Sequence, residues 1–275
     1  MGFLRWLGAR RAILPITARL LCARLVKESA LFFARELLRP SGAFLYTLRE
    51  SGSRVAIRHG GVDTATLAEV FYHRQYDPPS DLAHVLGDAG KIVDLGANIG
   101  LFGAFATARW PNARLVAYEP DPANAALHQR IVEANALASR WTLVCAAAGV
   151  REGQVRFAAG LAVESHVLEG GEGEKAGSDA PTEEITVPVR DVVPELAAAD
   201  LVKMDIEGGE WEILHDPRFT QGPPRALVLE YHPRSCPGAD PRAVAELALT
   251  RAGLSTSPIS HAGDGHGMLW AWRTE

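Results

Sequence analysis

Cysteine is scarce in this chain, and its three copies, Cys22, Cys145 and Cys236, stand far apart among 275 residues. Without CxxC spacing they exclude a disulfide scaffold and a structural zinc site, and an odd count fits a reducing, cytoplasmic setting. Long apolar runs are also missing. No uncharged stretch approaches the ~18–20 residues that cross a bilayer. The stretch between Arg11 and Arg19 is broken by Pro15 and lacks a small-residue cleavage site, so a signal peptide is not expected either. Positive charge is in deficit: the formal net charge is −5, which denies the molecule the basic field of a non-specific nucleic-acid binder. What remains, 47% hydrophobic and 22% charged residues, is the composition of a globular protein with one large domain or one domain and an appendage.

The charge is unevenly placed. Residues 1–40 carry eight basic side chains against Glu28 and Glu36, a net +6 that leaves −11 for the remainder. Apolar positions in this stretch (Leu4, Leu7, Ile13, Ile16, Leu20, Leu25, Phe32, Phe33, Leu37) recur at three- and four-residue steps, predicting helices with one apolar face. Residues 1–53 therefore read as a basic helical arm, and 54–275 as the main domain. The arm either packs on the domain or a second subunit, the favoured reading, or lies on an anionic membrane surface.

From Arg54 onward strand-like and helix-like segments alternate. Strands are expected at 55–57, 91–95, 115–119, 141–145, 154–158, 185–189, 201–204, 226–231 and 268–273, with helices at 66–72, 101–109 and 122–135. This alternation predicts an α/β fold, a parallel sheet covered on both faces. Residues 160–184, rich in glycine and acids, read as a long acidic loop, either a tolerated insertion or a lid. His59, His73, His261 and His266 have no evident role and are expected mostly at the surface.

Val93-Asp94-Leu95-Gly96-Ala97-Asn98-Ile99-Gly100 places a carboxylate at a strand end, then two glycines around a tight turn, then a helix. That is a nucleotide-type crevice at the carboxyl end of a parallel strand. A dinucleotide fingerprint would put glycine at Asn98, and a phosphate loop would end in Gly-Lys-Ser/Thr; neither is present. An Asp beside the turn repels pyrophosphate and favours a ligand with a positive group, such as the amino group of S-adenosyl-L-methionine. Glu119, 25 positions after Asp94, ends the next strand, where a carboxylate can accept hydrogen bonds from a ribose diol.

A second constellation, Asp205-Ile206-Glu207-Gly208-Gly209-Glu210, follows the apolar strand 201–204, and Leu229-Glu230-Tyr231-His232-Pro233 follows the next. Asp205, Glu207 and His232 are candidate catalytic groups at the same rim, and Glu210 alternatively complements a helix dipole. His166 is a further candidate base. These carboxylates could hold a divalent cation, but no metal-ligand spacing is present and none is expected.

The strings VDLGANIG, Tyr118-Glu119-Pro120, LVKMDIEGGEWEIL and LEYHP resemble the FkbM family of S-adenosylmethionine-dependent methyltransferases, over about residues 54–273. The resemblance implies a class I, Rossmann-like, seven-stranded, mostly parallel sheet whose last strand, 268–273, runs antiparallel. It implies that Asp94, Gly96 and Gly100 line the methionine end of the cofactor, that Glu119 takes the ribose, and that Ala146 or Ala147 flanks the adenine; Ala97 and Asn98 of the same turn are expected to bind the cofactor too, and the acidic cluster at a strand terminus leads to the expectation that Asp205 faces cofactor or acceptor. The acceptor it implies is a hydroxyl of a sugar or small natural product. The alternatives are a non-catalytic or NAD-type Rossmann binding protein, either of which could be peripheral to a membrane.

Overall fold

The computed structural model describes residues 16–159, 166–167 and 183–273. Two short helices, α1 (Ile16–Leu25) and α2 (Ser29–Leu38), lead into the hairpin β1 (Ala43–Thr47) and β2 (Arg54–Arg58), followed by α3 (Asp63–Phe71) and α4 (Ser80–Val85). Then come β3 (Lys91–Leu95), α5 (Leu101–Arg109), β4 (Arg114–Tyr118), α6 (Pro122–Ala134) and β5 (Trp141–Val144). A second group comprises β6 (Ala147–Gly149), β7 (Gly153–Ala159), β8 (His166–Val167) and β9 (Glu183–Asp191). The chain closes with α7 (Val193–Ala197), β10 (Leu201–Met204), α8 (Glu210–His215), α9 (Pro217–Gln221), β11 (Ala226–Tyr231), α10 (Pro241–Arg251), β12 (Leu254–His261) and β13 (Gly267–Arg273).

Seven strands form the main sheet in the order β12-β13-β11-β10-β3-β4-β5. The inner strands are parallel, and β13 runs antiparallel to both of its neighbours, as the resemblance implies for the last strand. Side chains alternate across it with period two. Ile92, Leu115, Leu201 and Val228 join one apolar cluster, with residues of α1 to α3, α5 and α6. Val93, Leu95, Val202, Met204 and Leu229 join another, under α7 to α10. Polar residues of the expected site, Asp94, Lys203 and Glu230, share parity with the first set.

The structure differs from the sequence reading in several of its elements. Segments 154–158 and 185–189 are strands, but they lie in a separate four-stranded sheet, order β6-β9-β7-β8, because β7 and β9 pair antiparallel with each other. Strands β1 and β12 were not expected; Ser255, Ser257 and Ser260 make β12 read as a loop, and pairing with β13 overrides that composition. The expected boundary between residues 53 and 54 cuts the β1–β2 hairpin, in which Ala43 faces Arg58. Cys22, Phe32 and Tyr46 are buried in the same cluster as Ile57 and Ile92. Residues 16–53 are thus packed on the domain and are part of its core.

A polar knot holds that junction. Glu36 Oε1 on α2 lies 2.6 Å from His59 Nδ1 and accepts the Thr64 hydroxyl at 2.6 Å, while the other His59 nitrogen pairs with the Tyr46 hydroxyl at 2.6 Å. Burial pushes the Glu36 carboxyl up, but His59 and Thr64 outweigh it and hold its pKa below the usual value. His59 is therefore an interior residue rather than a surface one. Residues 160–165 and 168–182 of the acidic stretch and the first fifteen residues of the arm lie outside the described residues, as does the side chain of His166. Among the described residues no helix is long and apolar enough to cross a membrane.

Candidate active site

Strands β3, β4, β10 and β11 end along one edge of the main sheet, and a cavity of about 280 Å³ lies there. Its wall takes Gly96, Ala97 and Asn98 from the turn after β3, Glu119 after β4, and Lys203, Asp205 and Glu207 from the end of β10 and its loop. Glu230 and His232 close it after β11, Glu69 on α3 covers it, and Phe157 on β7 reaches it from the smaller sheet.

The turn after β3 has the expected left-handed backbone: φ is +74° at Gly96, +49° at Asn98 and +88° at Gly100. Asparagine tolerates this region better than most residues, and Asn98 Oδ1 accepts the Ile99 amide at 2.8 Å. Gly96 is needed for a second reason beyond the turn. A Cβ there would stand 1.7 Å from the carbonyl oxygen of Asp205, so the glycine lets two chain segments meet. Gly100 likewise abuts the His128 ring and does not line the cavity.

Asp94 does not line the cavity either; it is fully buried. Parallel pairing sets Asp94 opposite Lys203, whose ammonium lies 3.5 Å from Asp94 Oδ1 and 3.4 Å from Asp205 Oδ2 and donates to the Gly96 carbonyl at 2.6 Å. Burial opposes the Lys203 charge, but Asp205 and Asp94 outweigh it and hold its pKa up. Burial pushes Asp94 up to about 6, against the pull of Lys203. Lys203 is the main residue that motif reasoning missed. A lysine inside an otherwise apolar strand is the signal that could have found it, since lysine is almost never buried unpaired.

Glu119 accepts the Asn98 amide at 2.6 Å and the Asp121 amide at 2.9 Å, one on each oxygen. These bonds lower its pKa, yet burial outweighs them and lifts it to about 7. Each oxygen retains a lone pair for a ligand hydroxyl. Beside it the wall is formed by Ala147 and Ala148; Ala146 is buried and does not line the cavity.

Glu210 at the start of α8 is fully buried and accepts the amides of Gly208 and His232, both at 2.8 Å. It is a pin between two loops rather than an exposed partner of the helix dipole. Its Oε1 also lies 3.1 Å from His232 Nδ1. Burial lowers the His232 pKa, but Glu210, Glu207 and Glu230 outweigh it and lift it to about 10. These carboxylates favour the imidazolium form of His232, which is a poor proton acceptor. Glu69 is pushed up to about 7 by burial and by Asp205, and its Oε1 is buried with no hydrogen-bond partner. His266, whose side chain is 42% exposed, also lines the cavity, so its surface position and a place in the site coincide.

The methyltransferase FkbM domain family matches residues 94–248, more than half of the chain. The chain belongs to the FkbM methyltransferase family. Both motif blocks and every strand end that builds the cavity fall inside that span, and the fold is the class I methyltransferase, Rossmann-like one. The FkbM chain is similar to a precorrin-6y C5,15-methyltransferase from Geobacter metallireducens (16% identity, 70% of this chain and 87% of that chain, TM-score 0.38). It is also similar to a methyltransferase from Geobacter sulfurreducens (17%, 74% and 78%, TM-score 0.39). A third similar structure is an O-methyltransferase family protein from Burkholderia thailandensis (13%, 76% and 56%, TM-score 0.43). No curated protein matches the sequence.

Proposed function

We propose that this methyltransferase uses S-adenosyl-L-methionine and transfers its methyl group to a hydroxyl of a sugar or other small natural product. The observation that carries the reading is Glu119: a carboxylate in the cavity wall after the second strand of a parallel sheet, braced by two amides with acceptor capacity to spare for a ribose diol. Gly96, Ala97 and Asn98 then face the methionine end, and the alanines 147 and 148 the adenine. The acidic surroundings suit a ligand that carries an ammonium and a sulfonium.

Methyl transfer is an in-line displacement. A bond forms from the acceptor oxygen to the methyl carbon, the carbon–sulfur bond breaks with its electron pair left on sulfur, and the hydroxyl proton passes to a base. Asp205 or Glu207 serves as that base, since His232 already carries a proton and instead holds the carboxylates in place through Glu210. Excluding water from the cavity and aligning the three atoms supply the remaining acceleration.

Calorimetry with S-adenosylmethionine and with NAD tests the cofactor; binding of NAD alone overturns the reading. Labelled methyl transfer into a metabolite extract, followed by mass spectrometry, identifies the acceptor. Label appearing only in amines or in protein overturns the hydroxyl assignment.

We also propose that the arm contacts an anionic membrane surface from the cytoplasmic side. Ile16, Leu20, Leu31, Leu37 and Leu38 are exposed on α1 and α2, alongside exposed Arg24, Lys27 and Arg39. An apolar face edged by cations is the pattern of an interfacial helix pair.

A further inference from the structure

The cavity also brings together a set of ligand atoms that sequence spacing does not reveal. One carboxylate oxygen each from Asp205 and Glu207 and one ring nitrogen of His232 lie within 4.8 Å of one another. His232 Nε2 stands 3.8 Å from Asp205 Oδ1 and 3.6 Å from Glu207 Oε2. These separations exceed the hydrogen-bond range of about 2.7–3.2 Å. They approach the spacing of about 3–3.5 Å between neighbouring ligands on one cation bound at about 2.0–2.2 Å. The residues come from loops after adjacent strands, 25 positions apart between Glu207 and His232, which is why no motif announces them.

Two independent features point to a cation at this place. His232 is 3% exposed, and Glu210 holds its Nδ1 so that Nε2 is presented to the cavity. A carboxylate that fixes one imidazole nitrogen while the other takes a metal is the usual outer-shell arrangement of metal-binding histidines. Across the same wall Glu69 Oε1 is buried without a hydrogen-bond partner, and Glu230 adds a further carboxylate. Lys203 is committed to Asp94, Asp205 and the Gly96 carbonyl, on the β3 side of the cavity.

We propose that Asp205, Glu207 and His232 bind a divalent cation. Two carboxylates and one imidazole suit an ion of intermediate hardness such as Mn²⁺ better than the all-oxygen preference of Ca²⁺. Three protein ligands leave coordination positions open. For what the ion does, the inference rests on the methyl-transfer reading: an open position takes the acceptor hydroxyl oxygen, lowers its pKa and orients it. Asp205 gives Oδ1 to the ion while its Oδ2 faces Lys203, and Glu207 gives one oxygen to the ion and takes the hydroxyl proton on the other. The imidazole binds in its neutral form, so its proton is released when the ion enters.

The test is titration of the full chain, stripped with EDTA, with Mn²⁺ alone, reading free Mn²⁺ by electron paramagnetic resonance. One saturable site is expected, weakened at least about tenfold in Glu207→Gln and in His232→Gln. Glu207 is half-buried, so its amide variant keeps the fold even where His232→Gln does not, and thermal melting checks both. No saturable binding by the wild type, with or without S-adenosylmethionine, overturns the site, and so does binding undiminished in a folded Glu207→Gln. Calorimetry with S-adenosylmethionine runs alongside. Cofactor binding without Mn²⁺ binding removes the metal and leaves the methyl-transfer reading standing, and the converse result does the reverse.

Discussion

Gly96 shows how much one missing side chain decides. Its positive φ alone costs a larger residue about 1–3 kcal/mol, and a Cβ would overlap the Asp205 carbonyl. Gly96→Ala is expected to lose about 2–5 kcal/mol of stability by urea denaturation, strain and overpacking together. Full retention of the wild-type midpoint would show that the two segments need not touch. Glu119 makes a second prediction, in pH. Burial has raised its pKa to about 7, so the native state binds its proton more tightly than the unfolded chain does. This group therefore adds stability to the unliganded protein as pH falls through about 7 toward the ordinary carboxylate range. The opposite holds for the cationic cofactor, which needs the ionised form. Its affinity is expected to fall about tenfold between pH 8 and pH 6, and calorimetry should find the slope flattened in Glu119→Gln.

At the scale of elements, the strands that build the cavity were legible because their apolar runs end in acids. Lys91–Leu95 before Gly96, Leu201–Met204 before Asp205, and Ala226–Tyr231 before His232 have the bounds their sequences predict. Less legible was anything decided by pairing across the chain. Strand β12 is serine-rich and forms because β13 offers an edge, and β7 joins β9 rather than the main sheet. The same limit applies to the site: Asp205, Glu207 and His232 were readable as residues, whereas Glu69 on α3 and the committed role of Lys203 needed the fold. The knot around Glu36 belongs to this class as well. Removing its charge in Glu36→Gln leaves His59 and Arg19 with a weaker partner. A loss of about 1–3 kcal/mol is expected, the cost of disturbing a buried hydrogen-bonded group. Thermal melting measures it.

For the whole molecule, the net charge of −5 averages an acidic domain and a basic beginning. If the beginning meets lipid, the intact chain cosediments with vesicles containing anionic phospholipid at low salt and is released as salt rises, because screening shortens the reach of its cations. Replacing Leu20, Leu31, Leu37 and Leu38 by serine should abolish cosedimentation at any salt. Indifference of the wild type to such vesicles removes the membrane from the account.

Helix α3 joins the two regions physically. Near its start Thr64 is fastened to Glu36 of the N-terminal helical pair, and about 8 Å further along the same rod Glu69 covers the cavity. A helix this short tilts as a rigid lever, so a force that moves its fastened end also moves its acid. The packed N-terminal helices and the carboxylate over the cavity are therefore two ends of one mechanical part.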